Sequence, residues 1–311
     1  MLRFLERSVE KTIEKYPKAY NSFFKLFSKI PDKKYVSIVH RILFHEKMNW
    51  DKPKTYTQKL NWLKVNYRDP MLTVFVDKCA VREYIKEKIG EEYLIPIYGM
   101  FESVEEIKKN MDSFPDKFAL KGNNGSGYNI IVTSKDSINW EKAYKKINTW
   151  LSTSHYLRAR EWPYKNVKPK MIVEKLLEPK EGILYDYKIY SFDGEVKFVG
   201  VTYIDTENHI SFRNNYDKDF NLLEDVQIGF PNNLEKTVEK PDNLDEMVRI
   251  AETLSKGYPH MRVDLYNVDG KIYFGELTLY PGGGCDTLMT PDDLEYKMGS
   301  FIKLPKIKDD K

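Results

Sequence analysis

Apolar residues recur three and four positions apart through the first seventy residues, then give way to short alternating or continuous runs. Leu5, Val9, Ile13 and Tyr16 share one helical face, beside a basic stripe of Arg3, Arg7, Lys11 and Lys15 that Glu6, Glu10 and Glu14 can pair with. Pro17 breaks that helix, and a second follows through Phe23, Phe24, Leu26 and Phe27. Pro31-Asp32 opens a third with Val36, Val39, Ile42 and Leu43. After a linker over residues 50–53, Thr55 caps a fourth through Leu60, Trp62, Leu63 and Val65. Residues 1–70 are therefore expected to be wholly helical.

Further along, Val81, Tyr84 and Ile85 give a helical face ended by Gly90, and residues 94–98 are a short extended run. Ser103 with Glu106 makes a capping box for the next short helix. Residues 118–122 and 129–132 read as strands about a glycine-rich loop, residues 137–160 as a helix, and residues 171–177 as a buried strand. Two more strands bracket the turn Asp193-Gly194. Residues 204–240 read as irregular and polar, and residues 245–256 as a helix closed by Gly257.

The most informative pattern is MRVDLYNVDGKIYFGELTLYPGGG, residues 261–284, two alternating strands about Val268-Asp269-Gly270. With a three-residue loop and a left-handed Gly270, Asn267 pairs with Lys271 and Arg262 lies opposite Glu276, with Asp264 their diagonal neighbour. Arg262, Asp264, Glu276 and Thr278 then share one face, while Met261, Val263, Leu265, Leu277 and Leu279 take the other. A two-residue loop would separate the two carboxylates and leave one among apolar neighbours, so the longer loop is expected. Two carboxylates converging beside an arginine suit a hard cation, Mg²⁺ or Mn²⁺, completed by water and phosphate oxygens. A solvated, salt-bridged amphipathic hairpin is the alternative reading.

A second motif changes that balance. FALKGNNGSGYNIIV sets Gly122, Gly125 and Gly127 in a loop between strands, where backbone N–H groups can approach an anion. Asn123, Asn124 and Ser126 add side-chain donors, and Lys121 ends the first strand with a full positive charge. Lys78, at the start of a helix, is a further phosphate candidate or an exposed lysine. No Gly-Lys-Ser/Thr opens a helix and a strand follows the loop, so it is neither a Walker nor a Rossmann motif. None of the five histidines has metal-ligand spacing to another, and no nucleophile elbow occurs.

Composition narrows the class. The 311 residues, 41% hydrophobic, make a globular chain of two or three subdomains without an apolar run able to span a bilayer. Two scattered cysteines form neither a disulfide framework nor a zinc site, and a cytoplasmic location is expected. The net charge of +3 conceals an asymmetry: residues 1–70 carry 16 Lys/Arg against 7 Asp/Glu, a net +9, which leaves −6 for the rest.

Together these motifs resemble the ATP-grasp superfamily, and VDKCAVREYIKEKIGEEYLIPIYG, FALKGNNGSG, DYKIYSFDG, the hairpin and the late MGSFIKLP resemble its TupA-like branch, associated with teichuronopeptide and capsular polysaccharide biosynthesis. The resemblance implies an α+β fold with two subdomains gripping ATP, preceded by a basic helical region. The corresponding segments are 1–70, a pre-ATP-grasp stretch at 71–115, a small lid subdomain at 116–178 and a large metal-bearing subdomain at 179–311. It implies that Lys78 and Lys121 contact ATP phosphates under the loop of Gly122, Asn123, Asn124, Gly125, Ser126 and Gly127. Adenine would lie against Glu174, Lys175, Leu176 and Leu177, and Asp186 would accept from the ribose. Asp264 and Glu276 would hold Mg²⁺, with Arg262 on the transferring phosphoryl group. Thr278 stands where many relatives place an Asn ligand.

The implied reaction is ATP-dependent amide formation through an acylphosphate, joining an amino acid to a sugar acid or amino sugar, itself free or nucleotide- or lipid-linked. No nucleic-acid partner is implied. The basic first helices suggest at most weak peripheral association with the inner face of a membrane. Two other classes stay open. A polysaccharide glycosyltransferase would need a metal motif such as Asp217-Lys218-Asp219, and a non-catalytic glycan or lipid-surface binder would need only the basic helices. Arg213, in the irregular stretch, is a candidate substrate contact.

Overall fold

The computed structural model describes residues 27–205 and 210–306. The helices expected over residues 2–16 and through Phe23 to Leu26 lie outside the described residues. The chain divides into two compact units that interleave in sequence. One comprises Asp69–Glu83, Ile95–Leu177 and the described residues before Lys33. The other comprises Lys33–Arg68, Tyr84–Leu94 and the described residues from Glu178 onward. The linear segments 1–70 and 71–115 are thus each shared between units.

The first unit is built on a four-stranded antiparallel sheet of β1 (Ile97–Phe101), β2 (Phe118–Gly122), β3 (Asn129–Val132) and β4 (Met171–Lys175), in the order β1-β4-β2-β3. Alternation sorts the side chains. Phe101, Phe118, Leu120, Val132, Met171 and Val173 form a core with Ile107 and with Ile147 and Trp150 of the helix Trp140–Ser152. Burying each such side chain contributes about 1.5–3 kcal/mol. Ser103 caps the helix Val104–Asn110 by accepting from the Glu106 amide, and Glu106 returns a bond to the Glu102 amide, one residue earlier than the usual box. The opposite face of the sheet carries Met100, Ile131, Lys121 and Glu174.

The second unit is built on a five-stranded antiparallel sheet in the order β10-β9-β5-β6-β7. Its strands are β5 (Asp186–Phe192), β6 (Glu195–Asp205), β7 (Ile210–Tyr216), β9 (Met261–Val268) and β10 (Lys271–Thr278). The short β8 (Gln227–Ile228) and β11 (Met289–Thr290) pair separately. The helix Leu244–Ser255 buries Met247, Ile250, Ala251 and Leu254 completely, and Val263, Leu265 and Ile189 of the sheet are equally sealed. A second helix, Tyr56–Asn66, is capped by Thr55, which accepts from the Gln58 amide.

Two expectations are corrected. Residues 210–216 are a strand, although the segment reads as polar and irregular. Asn214 and Asn215 are fully buried on it because their amides fasten the following loop. Asn214 donates to Asn233 O and Lys236 O, and Asn215 donates to Val226 O. The hairpin turn is also shorter than expected: Val268 pairs with Lys271, with Asp269 and Gly270 at φ 52° and 82°. Asp264 and Glu276 nevertheless face each other, because the register shifts between Phe274 and Glu276. The bulge sits at Gly275, where a Cβ would lie 3.0 Å from Asp264 O and 3.2 Å from the Tyr266 ring.

Candidate functional site

In the second unit the polar face of the sheet gathers six side chains from three strands. Arg262 forms a bidentate pair with Asp264, Nε donating to Oδ1 at 2.6 Å and Nη2 to Oδ2 at 2.7 Å. The same Nη2 donates to Thr278 Oγ1 at 3.0 Å and lies 3.6 Å from Glu276 Oε1. Thr278 in turn donates to Glu276 Oε1 at 3.3 Å, so it orients the carboxylate. Burial works against the Arg262 charge, but Asp264 outweighs it and holds the guanidinium well above its ordinary value.

Lys188 completes this face. Its ammonium bridges Asp186 Oδ2 at 2.7 Å and Asp264 Oδ2 at 2.6 Å. Burial pushes the Asp186 carboxyl above its usual range, Lys188 pulling the other way. Asp186 Oδ1 is buried and lacks a hydrogen-bond partner among the described residues. Lys188 was not singled out in the sequence. Its alternation with Asp186 in DYK was the available signal, since residues two apart on a strand share a face.

The first unit places the other candidates. Lys121 and Glu174 form an ion pair as diagonal neighbours on β2 and β4. Beyond Lys175 the chain leaves the sheet, so Leu176 and Leu177 take part in no strand pairing. The glycine-rich loop is anchored at its base. Asn123, with no exposure, donates to Asp77 Oδ1 at 2.8 Å and Lys168 O at 3.1 Å and accepts from the Lys170 amide. Asn124 donates to Thr153 O at 3.1 Å. Both asparagine side chains are thus engaged within the unit, unlike the free donors expected from sequence. Gly125 has no room for a side chain, since a Cβ would meet the Tyr128 ring at 2.9 Å and His155 at 3.3 Å. Lys78 donates to Gly125 O at 3.2 Å. Ser126 and Gly127 are the exposed tip.

Lys78 follows Asp77, which caps the start of the helix Val81–Lys88 through the Cys79 amide and also receives Asn123. One carboxylate therefore ties the Lys78 segment to the loop. The Cys79 thiol is pushed up to about 12 by burial, which makes it a poor nucleophile. The Asp217 carboxylate accepts from the Asp219 and Asn221 amides and from the Asn221 side chain, which closes a local turn.

No trio of His, Cys, Asp or Glu among the described residues makes an all-protein metal cage. Asp264 nevertheless stands opposite Glu276 on one face, although its oxygens accept from Arg262 and Lys188. Asp264 Oδ1 takes one of these bonds and keeps a second lone pair, so the two carboxylates could share a Mg²⁺ ion completed by phosphate oxygens. The donor set fits the implied metal in that form.

The model of TupA-like ATPgrasp proteins matches residues 58–303, and the chain belongs to this family. Its fold is the mixed helix and antiparallel-sheet ATP-grasp fold. Among solved structures it is similar to D-alanine–D-alanine ligase from Bacillus anthracis complexed with ATP. That match has 16% identity and a TM-score of 0.39 and covers 67% of this chain and 57% of that one. The Helicobacter pylori D-alanine–D-alanine ligase gives 13% identity and a TM-score of 0.41, with 75% and 62% covered. Phosphoribosylamine–glycine ligase from Thermotoga maritima gives 11% and 0.41, with 76% and 57% covered. The chain thus spans little more than half the length of the first of these proteins. No curated protein matches it.

Proposed function

We propose that the chain is an ATP-dependent carboxylate–amine ligase that forms an amide through an acylphosphate and releases ADP. The observation that carries this reading is the face on which Asp264 and Glu276 stand opposite each other beside Arg262 and Lys188, in a chain of the ATP-grasp family. Such a reaction asks the protein for positioning and charge neutralisation, not for a covalent nucleophile. Lys78, Lys121 and the loop around Ser126 and Gly127 would bind phosphates, with Glu174 orienting Lys121. Leu176 and Leu177 offer unpaired backbone to the adenine edge, and the orphaned Asp186 Oδ1 is an acceptor for a ribose hydroxyl. Arg262 and Lys188 would neutralise the transferring phosphoryl group.

Asp264 and Glu276 would hold Mg²⁺ or Mn²⁺, with Thr278 fixing Glu276. When bound, that ion would offset charge on the phosphate oxygens. We assign the substrates to an amino acid and a sugar acid or amino sugar of surface polysaccharide synthesis, with a cytoplasmic location. No helix among the described residues is long and apolar enough to cross a membrane. The glycosyltransferase alternative gains nothing from Asp217, whose carboxylate is spent on its own turn.

The test combines ATP, candidate sugar acids and amino acids with the purified chain. ADP, phosphate and an amide are expected, and hydroxylamine should trap a hydroxamate. Sugar transfer from a nucleotide-sugar without ATP would overturn the reading.

A further inference from the structure

Most charges on the polar face of the five-stranded sheet are matched within it, but two groups beside it are not. Arg213 on β7 is only 3% exposed, yet every hydrogen bond it makes is to a neutral group. Nε donates to Thr202 Oγ1 at 2.8 Å, and Nη1 donates to Tyr190 OH at 3.0 Å and Ile228 O at 2.8 Å. The guanidinium lies over the Phe230 ring at 4.5 Å. Nη2 donates to no described residue and is not among the side-chain atoms sealed from solvent. A buried guanidinium held by neutral partners, with one nitrogen open, is a cation lacking its anion. Leaving such a charge uncompensated is costly unless a ligand supplies the counter-charge.

The complementary group is Asp286, in the loop after β10. Its carboxylate rests between two left-handed glycines. A Cβ on Gly282 would fall 2.4 Å from it, and one on Gly229 3.1 Å from it. Asp286 forms no hydrogen bond or ion pair with another described residue. The loop that presents it is held from below: Asn61 donates to Gly284 O at 2.8 Å and Lys64 donates to Gly283 O at 2.5 Å. Asp286 is therefore a positioned carboxylate with a free charge.

One short segment joins the two. Ile228 O receives Arg213, Gly229 abuts Asp286, and Phe230 lies under the guanidinium. The pair also adjoins the carboxylate cluster. Tyr190, which receives Arg213, pairs across the sheet with Arg262, and the buried Tyr56 hydroxyl feels Tyr190, Arg262 and Asp286 together. Arg213 and Asp286 form no ion pair with each other, so neither charge neutralises the other.

We propose that Arg213 and Asp286 form the subsite for a free α-amino acid, its carboxylate on Arg213 Nη2 and its ammonium on Asp286. This rests on the ligase reading and gives the amino-acid substrate its place. A sugar acid would satisfy Arg213 alone, and a simple amine Asp286 alone. The zwitterion satisfies both.

Calorimetric titration of the full chain tests this, with glycine, L- and D-alanine, L-glutamate and L-lysine as probes, each beside its N-acetyl and carboxamide derivative. MgADP is titrated separately. At least one free amino acid should bind, with both of its derivatives at least tenfold weaker. Asp286→Asn should abolish the preference over the N-acetyl form, and Arg213→Lys the preference over the carboxamide, while MgADP affinity stays unchanged. Should Arg213→Lys fail to fold, Asp286→Asn decides alone. Absence of binding by every probe, equal binding of the N-acetyl form, or a preference that survives Asp286→Asn would overturn the subsite. Failure of the wild-type chain to bind MgADP would instead sink the ligase reading and leave the amino-acid titration to stand or fall separately.

Discussion

Lys188 Nζ donates to Asp264 Oδ2 across 2.6 Å, linking β5 to the strand that carries the arginine. The same ammonium holds Asp186, so one cation keeps two carboxylates at close quarters. Removing it should leave Asp186 without its cation and Asp264 with Arg262 alone. Lys188→Met is expected to destabilise the second unit by about 3–5 kcal/mol, the usual cost of stripping one partner from a buried pair. Adding Asp264→Asn should recover part of that loss, with a coupling of about 0.5–3 kcal/mol in a double-mutant cycle read by urea unfolding. Strict additivity would mean the two side chains do not interact.

Gly275 and Gly270 separate two kinds of glycine dependence. At Gly270 a Cβ meets nothing within 4 Å, so Gly270→Ala suffers only from its φ of 82°, about 1–2 kcal/mol. Gly275→Ala pushes on Asp264 O and Tyr266, at about 1–3 kcal/mol, and disturbs the bulge that sets Asp264 opposite Glu276. Both variants should lower Tm. Gly275→Ala should also weaken Mg-ATP binding, and Gly270→Ala should not.

The contrast explains what was legible in the sequence. Alternation assigned Arg262, Asp264, Glu276 and Thr278 to one face, but a turn and a bulge each shift parity by one, and the two shifts cancel. The face was therefore readable while the route to it was not. Arg213 looked like a loop residue because β7 spends its inward positions on asparagines that hold the next loop. Asn123 and Asn124 looked like ligand donors because asparagines in a glycine-rich turn give no sign of whether their amides point inward. Lys188 was hidden because its partners come from β9 and from its own strand, and pairing of β5 with β9 is a long-range fact.

His260 provides a pH prediction. Tyr56 OH donates to its Nε2 at 2.9 Å, its Nδ1 donates to Leu279 O at 3.1 Å, and the ring is buried. Burial drives its pKa down from 6.5 to about 3. The unfolded chain therefore binds a proton that the folded chain refuses. Stability from this group is full above pH 6.5 and is lost as pH falls toward about 3, at about 1.4 kcal/mol per pH unit. Carboxylates titrate in the same window, so the comparison is with His260→Gln. That variant should be less stable at pH 7, and its stability should fall less steeply between pH 6.5 and 4. Parallel profiles would remove His260 from the account.

The ligase reading places the heaviest demand on Glu276 and Lys121, to which it gives separate roles in metal and phosphate binding. Glu276→Gln is isosteric and sits at a partly open position, where the side chain is 33% exposed, so the fold should survive. Loss of the negative charge should nevertheless cut turnover by about 100-fold or more, the scale seen when one preorganised electrostatic group is removed. Lys121→Ala should act on binding. A charge-assisted contact is worth about 1.5–3 kcal/mol, or roughly 10- to 150-fold in ATP affinity. That variant also leaves Glu174 buried without its cation, so nucleotide affinity must be measured by calorimetry below the unfolding temperature of each protein. Adding Glu174→Gln to Lys121→Ala separates the two effects: it removes the uncompensated buried charge, and a nucleotide affinity that stays low would assign the alanine loss to the missing cation. Wild-type turnover in Glu276→Gln would remove the metal role from the hairpin, and unchanged ATP affinity in Lys121→Ala would return that lysine to a purely structural pair with Glu174.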